Sequence, residues 1–236
     1  ETYNSHAVIS THGSQKVNSI TLQELSEDKQ SFVGEAITIN TDLLLMSGGW
    51  NPAVQLFSQS RGKLRYDDQI SSFVPDVLVD NQYVIGTNNG DFNLKQNLID
   101  SQNAGISAAK ETGNKKDIDE FISEANEPNE FTTSDVVPYV LGSKPVTHGS
   151  KHFIDFQNDV TASDIFLAQR EGYISVEHTK RYTTTGMATD QGKTSNVNAL
   201  AIMSHIQKKP VGEVGHTTFR PPYVPQTFGA IAGRNV

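Results

Sequence analysis

The chain has 236 residues and a formal net charge of −8, from 19 basic and 27 acidic side chains. An acidic chain without a basic block is a poor binder of nucleic acid or anionic membranes, and no apolar run approaches the roughly 20 residues of a membrane span. The absence of cysteine excludes disulfides, thiolate metal sites and cysteine nucleophiles. Because residues 1–4 lack the features of a signal peptide, a cytoplasmic soluble protein is expected.

Strand patterns dominate the first part of the chain. Alternating and β-branched residues predict three short strands, at 6–11, 17–24 and 35–39. The apolar run 42–47 predicts a strand buried on both faces, and Trp50 is expected in the core. A helix is predicted at 52–59, with proline at its first position, and a further short strand is predicted at 82–86.

Helical patterns dominate the rest. Apolar spacing predicts a helix from Leu94 to about residue 112, which ends at Gly113. The polar, proline-punctuated stretch that follows predicts a linker with one short helix at 117–125. Thr161 and Asp164 are spaced as in a capping box and predict a helix start. Later helices are predicted at 176–182 and 194–208, and the Pro- and Gly-rich tail predicts an extended linker.

The segment 183–195 is the most informative for chemistry. Five residues separate Gly186 from Gly192, whereas a P-loop has four, so NTP hydrolysis is disfavoured. A helix that starts near Thr194 would still present free N–H groups and a positive dipole end to a phosphate. Phosphate binding and an ordinary helix cap with an exposed Lys193 both stay open.

Other motifs are weaker. Glycines at 48–49 and 86–90 follow predicted strands, where backbone can approach a dinucleotide, but a tight turn explains either of them, and no G-x-G-x-x-G occurs. His148 and His152 lie in a loop with no carboxylate before Asp155, so no metal site is predicted. No catalytic acid, base or nucleophile can be assembled, since Gly-x-Ser-x-Gly is absent.

Three segments together closely resemble the α subunits of heterotetrameric sarcosine oxidases, at 154–165, 170–196 and 217–230. Residues 42–64 match the same subunits further upstream. The resemblance implies that the chain works with other subunits, chiefly a β subunit that carries FAD and FMN and oxidises sarcosine. The implied products are glycine and peroxide, with the methyl carbon passed to tetrahydrofolate, and the FMN is expected at the subunit interface.

The fold that the resemblance implies is α+β. Residues 1–113 would be the C-terminal part of an NAD-binding domain within a two-dinucleotide-binding-domain flavoprotein fold, and 114–150 a linker. Residues 151–212 would be a small helical domain, and 213–236 a linker toward a missing folate-binding domain. Matched by position, the implied NAD contacts, which form only a partial site, fall on Gly86, Thr87, Phe92 and Leu94.

The helical region also resembles the small iron–sulfur domain of related amine-oxidising flavoproteins. The four ligand positions of that domain fall here on Asp155, Gln157, Asp190 and Ser195. None of these is cysteine, so no thiolate-held [2Fe–2S] cluster is expected. We expect an FMN-phosphate cradle at the neighbouring loop instead, formed by Gln191, Gly192, Lys193, Thr194 and Ser195.

Two alternatives stay open at this point. In the first, residues 153–196 form an assembly module between subunits that touches no cofactor. In the second, the free chain binds a phosphate or a nucleotide through Lys193. In none of these interpretations does the chain supply a catalytic residue.

Overall fold

The structure is a computed structural model, and it describes residues 1–29, 31–114, 151–221, 224 and 226–234. The short helix predicted at 117–125 and nearly all of the predicted linker 114–150 lie outside the described residues, as does His148.

The first three strands form an antiparallel sheet in the order β1-β2-β3, with β1 at His6–His12, β2 at Ser19–Leu25 and β3 at Phe32–Asn40. This confirms the three strands predicted at the start of the chain. The central strand β2 is the most buried, since its Ile20 pairs with Thr11 on one side and Ile39 on the other. Two bulges interrupt the register, and such bulges increase the twist of a sheet.

A short helix and a hairpin follow. Helix α1 spans Gln55–Gln59 within the predicted range 52–59. Strands β4 (Lys63–Asp67) and β5 (Ser72–Val77) pair antiparallel in a hairpin that the sequence analysis missed. The alternation of polar and apolar residues in β4 was the available signal. The hairpin buries Val74 at 2% exposure.

Two predicted strands are wrong. Residues 42–47 have no strand pairing among the described residues, and most of their apolar side chains are exposed, including Leu45 at 82% and Met46 at 75%. Trp50 is likewise 78% exposed and not in a core. Residues 82–85 are irregular and lead into a 3-10 turn at Gly86–Asn89. An apolar run favours burial, but a strand also needs a neighbour with which its backbone can pair.

Helix α2, at Leu94–Glu111, confirms the predicted helix. Asn93 caps it, since its Oδ1 accepts a hydrogen bond from the Gln96 N–H at 2.7 Å. None of the described residues of α2 is buried, and Leu94 and Leu98 are 59% and 42% exposed. The apolar stripe that predicts the helix is therefore exposed at its first two leucines and half-buried at Ile99, Ala104 and Ala108.

The helical region begins with a short hairpin of β6 (Phe153–Asp155) and β7 (Val160–Thr161). Helices α3 (Ala162–Arg170), α4 (Val176–Thr183), α5 (Asn196–Gln207) and α6 (Val211–Val214) follow. The capping box is confirmed, because the Thr161 N–H donates to Asp164 Oδ2 at 2.8 Å. Helix α5 starts two residues later than predicted, and α7 (Phe228–Ala232) interrupts the tail predicted as extended.

The core of this region is small and well packed. Ile165 of α3 is fully buried, and Ile202 and Met203 of α5 are at most 2% exposed. The hairpin β4–β5 joins the same core through Phe73, whose ring meets the His216 ring edge-on at 5.4 Å between centroids. These contacts hold α3, α4 and α5 in the positions that shape the loops described next.

Candidate functional site

The loop between β6 and β7 is built around the buried carboxylate of Asp155, which is 2% exposed. Its Oδ1 accepts hydrogen bonds from the backbone N–H groups of Gln157 and Asn158, both at 3.0 Å. Its Oδ2 accepts one from the Gly186 N–H at 2.8 Å. Three backbone donors offset the cost of burying a carboxylate, and the third ties this loop to the loop that follows α4.

The side chain of Gln157 joins the same two loops. Its Nε2 donates to Thr189 Oγ1 at 2.9 Å, and its Oε1 accepts from the Asp190 N–H at 3.0 Å. Asn158 adds a bond to the carbonyl of Thr184 at 3.0 Å. Three of the four positions matched to iron–sulfur ligands, Asp155, Gln157 and Asp190, thus lie in one hydrogen-bonded junction. The fourth, Ser195, is fully buried, and its Oγ has no hydrogen-bond partner among the described residues.

Two glycines set the path of the loop 184–195. Gly186 and Gly192 adopt φ of +70° and +78°, in the left-handed region that favours glycine. A Cβ on either would overlap the side-chain amide of Asn196, the first residue of α5. Asn196 Nδ2 in turn donates to Thr217 Oγ1 at 3.0 Å. The close packing on Asn196 therefore requires glycine at both positions, and this requirement does not depend on a ligand.

The predicted phosphate cradle is already occupied by a carboxylate. Asp190 Oδ1 accepts from the Gly192 N–H at 3.1 Å, and Asp190 Oδ2 accepts from the Thr194 hydroxyl at 2.9 Å. Lys193 and Thr194 are exposed, whereas Gly192 and Ser195 are buried. The arrangement presents a cation and a hydroxyl to an outside phosphate, but the Gly192 N–H reaches one only if Asp190 turns away. Gln191 folds back onto the Ala188 carbonyl at 3.0 Å.

The residues matched to NAD contacts lie in one short segment. Gly86 and Thr87 open the 3-10 turn, and Phe92 and Leu94 lie at the entry to α2. Gly86 has φ of +67°, in the left-handed region that favours glycine, and the atoms nearest to a Cβ there would be those of the Asn97 side-chain amide, at 3.7 Å and beyond. The backbone conformation thus explains the glycine, and a Cβ would make only ordinary contact with Asn97. Contact of these four residues with NAD remains a prediction.

A basic cleft between α4 and the segment after α6 escaped the sequence analysis. It has a volume of about 270 Å³, and its described lining comprises Glu177, Lys180, Arg181, Met187, Gln191, Thr218, Arg220 and Pro221. Burial lowers the pKa of Lys180, and the neighbouring Arg220 and Arg181 lower it further, whereas Glu177 opposes them. The adjacent Lys180 and Arg181 were a visible signal, but Arg220 lies 40 positions away.

The described part of the chain offers neither a membrane span nor a metal centre. None of the helices there is both long and apolar enough to cross a bilayer. No group of three His, Asp or Glu side chains in the described ranges is arranged to hold a metal ion.

Residues 149–234 match a family model described as the sarcosine oxidase A3 domain. The chain is 38% identical to sarcosine oxidase subunit alpha of Corynebacterium sp. (strain P-1), over 93% of this chain and 22% of that protein. The corresponding subunit of Rhizobium meliloti (strain 1021) is 37% identical, over 85% of this chain and 20% of that protein. The chain spans about a fifth of the length of these relatives, and the matches confirm the resemblance drawn from the sequence.

A solved structure adds evidence on the fold. L-Proline dehydrogenase from P. horikoshii superposes with a TM-score of 0.61 and covers 94% of this chain and 43% of its own. At 19% identity this similarity shows the fold alone. It supports the expected mixture of helices and strands. It does not address the predicted likeness of the helical region to an iron–sulfur domain that has no cluster.

Proposed function

We propose that this chain, a homologue of the sarcosine oxidase α subunits, is part of a flavin-dependent oxidase that demethylates sarcosine to glycine. The observation that carries the proposal is the 37–39% identity to named α subunits over most of the chain. Tetrahydrofolate is the proposed methyl acceptor, and the proposed partners are the other subunits, chiefly β. The chain itself contributes cofactor surroundings and subunit contacts, and no catalytic group.

The proposed FMN contact is at the exposed part of the loop 191–195. Lys193 and the Thr194 hydroxyl are the chemical groups that suit a phosphate at an interface. FMN supplies the electron acceptor when bound, and the role of this chain is to hold its phosphate. The turn at Gly86 and Thr87 would likewise border NAD, because a glycine without a side chain lets a ligand approach the backbone.

A decisive experiment is to co-express the full α subunit with its β partner and to measure FMN per complex. We expect Lys193→Ala to lower FMN content while the complex still assembles, because the variant removes the exposed cation nearest the proposed phosphate. The matched control is Lys209→Ala, an exposed lysine just beyond α5, which should leave FMN unchanged. Equal FMN content in both variants would refute the FMN contact and favour the interpretation of the loop as an ordinary helix cap.

The alternative function, a structural assembly module, has its own supporting observation. The chain exposes large apolar side chains that a subunit would bury on assembly. The five most exposed among the described residues are Leu45, Met46, Trp50, Phe156 and Phe228. Under this alternative, Phe228→Gln lowers the yield of assembled complex, whereas Lys193→Ala changes neither yield nor FMN content.

A further inference from the structure

We propose that the basic cleft between α4 and the segment after α6 binds the phosphate dianion of a small ligand. The cleft lies beside the loop 184–195, but its cations are not those of the proposed FMN contact. The inference rests on the geometry of this chain alone and does not depend on the enzyme to which the chain belongs.

Charge is the first argument. Lys180, Arg181 and Arg220 line the cleft, and Glu177 is the one carboxylate in its described lining, which leaves two net positive charges there. The chain as a whole carries −8, so this concentration of positive charge is local. A phosphate monoester carries about −1.5 to −2 charges at neutral pH. The cleft and the ligand therefore match in charge.

The second argument is that two of the cations form no hydrogen bond or ion pair with the described residues. Among the residues that the structure describes, neither the Lys180 ammonium nor the Arg220 guanidinium forms a hydrogen bond or an ion pair. Lys180 is half-buried, and its stem packs beside Thr179 and Thr185. Glu177 faces this cation as well, but it is a single carboxylate against the two arginines and the burial, so a further anion would stabilise the charged form of Lys180.

Glu177 connects α4 to the segment after α6. Its Oε2 pairs with the Arg181 guanidinium at 3.3 Å, and its Oε1 accepts from the Thr218 N–H at 2.9 Å. One carboxylate thus positions a cation of α4 and fixes the segment that carries Arg220. The Thr218 hydroxyl and the guanidinium forks are donors suited to phosphate oxygens. At about 270 Å³ the cleft is slightly smaller than typical drug-sized pockets of roughly 300–1,000 Å³, which suits a phosphate and a small part of its carrier.

The test is calorimetric titration of the 236-residue chain with inorganic phosphate, FMN and riboflavin. We expect saturable binding of phosphate with a Kd on the order of 1 mM or tighter, and no binding of riboflavin at this site. Lys180→Met keeps the packed stem and removes the charge, and Arg220→Gln removes the second cation. Each should weaken phosphate binding by about tenfold or more. Lys209→Met, an exposed lysine outside the cleft, is the matched control.

The same titrations distinguish free phosphate from a phosphate group carried on a larger molecule. Tighter binding of FMN than of phosphate, lost in the cleft variants, indicates a phosphate carried on a larger molecule, whereas equal affinities indicate free phosphate. The proposal is overturned if folded wild-type chain binds neither, or if Lys209→Met weakens binding as much as Lys180→Met. Such a failure leaves the proposed function intact, because that rests on homology and on the Lys193 experiment.

Discussion

The substitution Gly192→Ala tests how the loop 184–195 is built. A Cβ at this position would overlap the side-chain amide of Asn196, and the residue has φ of +78°. The left-handed backbone alone costs a non-glycine residue about 1–2 kcal/mol. Displacing Asn196 also breaks its bond to Thr217 and leaves a buried polar group unpaired, which costs a further 1–3 kcal/mol or so. We expect a total loss of about 2–5 kcal/mol in the free energy of unfolding.

Gly172→Ala is the matched control, because Gly172 has φ of +92° and a Cβ there meets no atom within 4 Å. It should cost only the backbone part, about 1–2 kcal/mol. Thermal unfolding serves as the assay, with about 2–4 °C expected per kcal/mol for a chain of this size. In an Asn196→Ala background, Gly192→Ala should lose its steric part and approach the control. Equal effects of Gly192→Ala and Gly172→Ala in the wild-type background would refute the reasoning.

Three further predictions concern neighbouring contacts. Asp155→Ala should destabilise the chain by roughly 1–3 kcal/mol, because it leaves the buried Gly186 N–H without an acceptor, and Asp155→Asn by less; chemical unfolding measures both. Gln157→Ala should speed hydrogen exchange at the Asp190 N–H, because its acceptor is removed; an unchanged exchange rate would contradict the hydrogen-bonded junction between the two loops. Because the pKa of Lys180 is lowered in the folded state, the folded chain loses this proton at a lower pH than the unfolded chain does. Stability should therefore rise with pH between that pKa and the ordinary lysine value, and Lys180→Met should abolish the rise.

Local features of this chain were predictable because their causes are local. The capping box at Thr161 and Asp164 involves residues three apart, and the spacing of apolar residues from Leu94 onward predicts α2 without knowledge of its neighbours. The first three strands were predicted for the same reason, since alternation and turn residues lie within each segment.

The sequence also carried the family resemblance, and it placed the informative loop at 183–195. It did not show how that loop is filled. In the structure, the Asp190 carboxylate accepts hydrogen bonds from Gly192 and Thr194. Gly186 and Gly192 both pack on the Asn196 side chain. Loop conformation depends on such contacts rather than on residue type alone.

By itself, then, the sequence predicted helices α1 to α5 and the first sheet, and it carried the resemblance to the sarcosine oxidase α subunits. Only the tertiary structure decided which apolar runs are buried, as residues 42–47 show by lying mostly exposed. It also brought Arg220 to Lys180 across 40 positions of the chain, and Gly186 to Asp155 across 31. Contacts of this kind depend on how separate elements pack together, and no local pattern of residues encodes that packing.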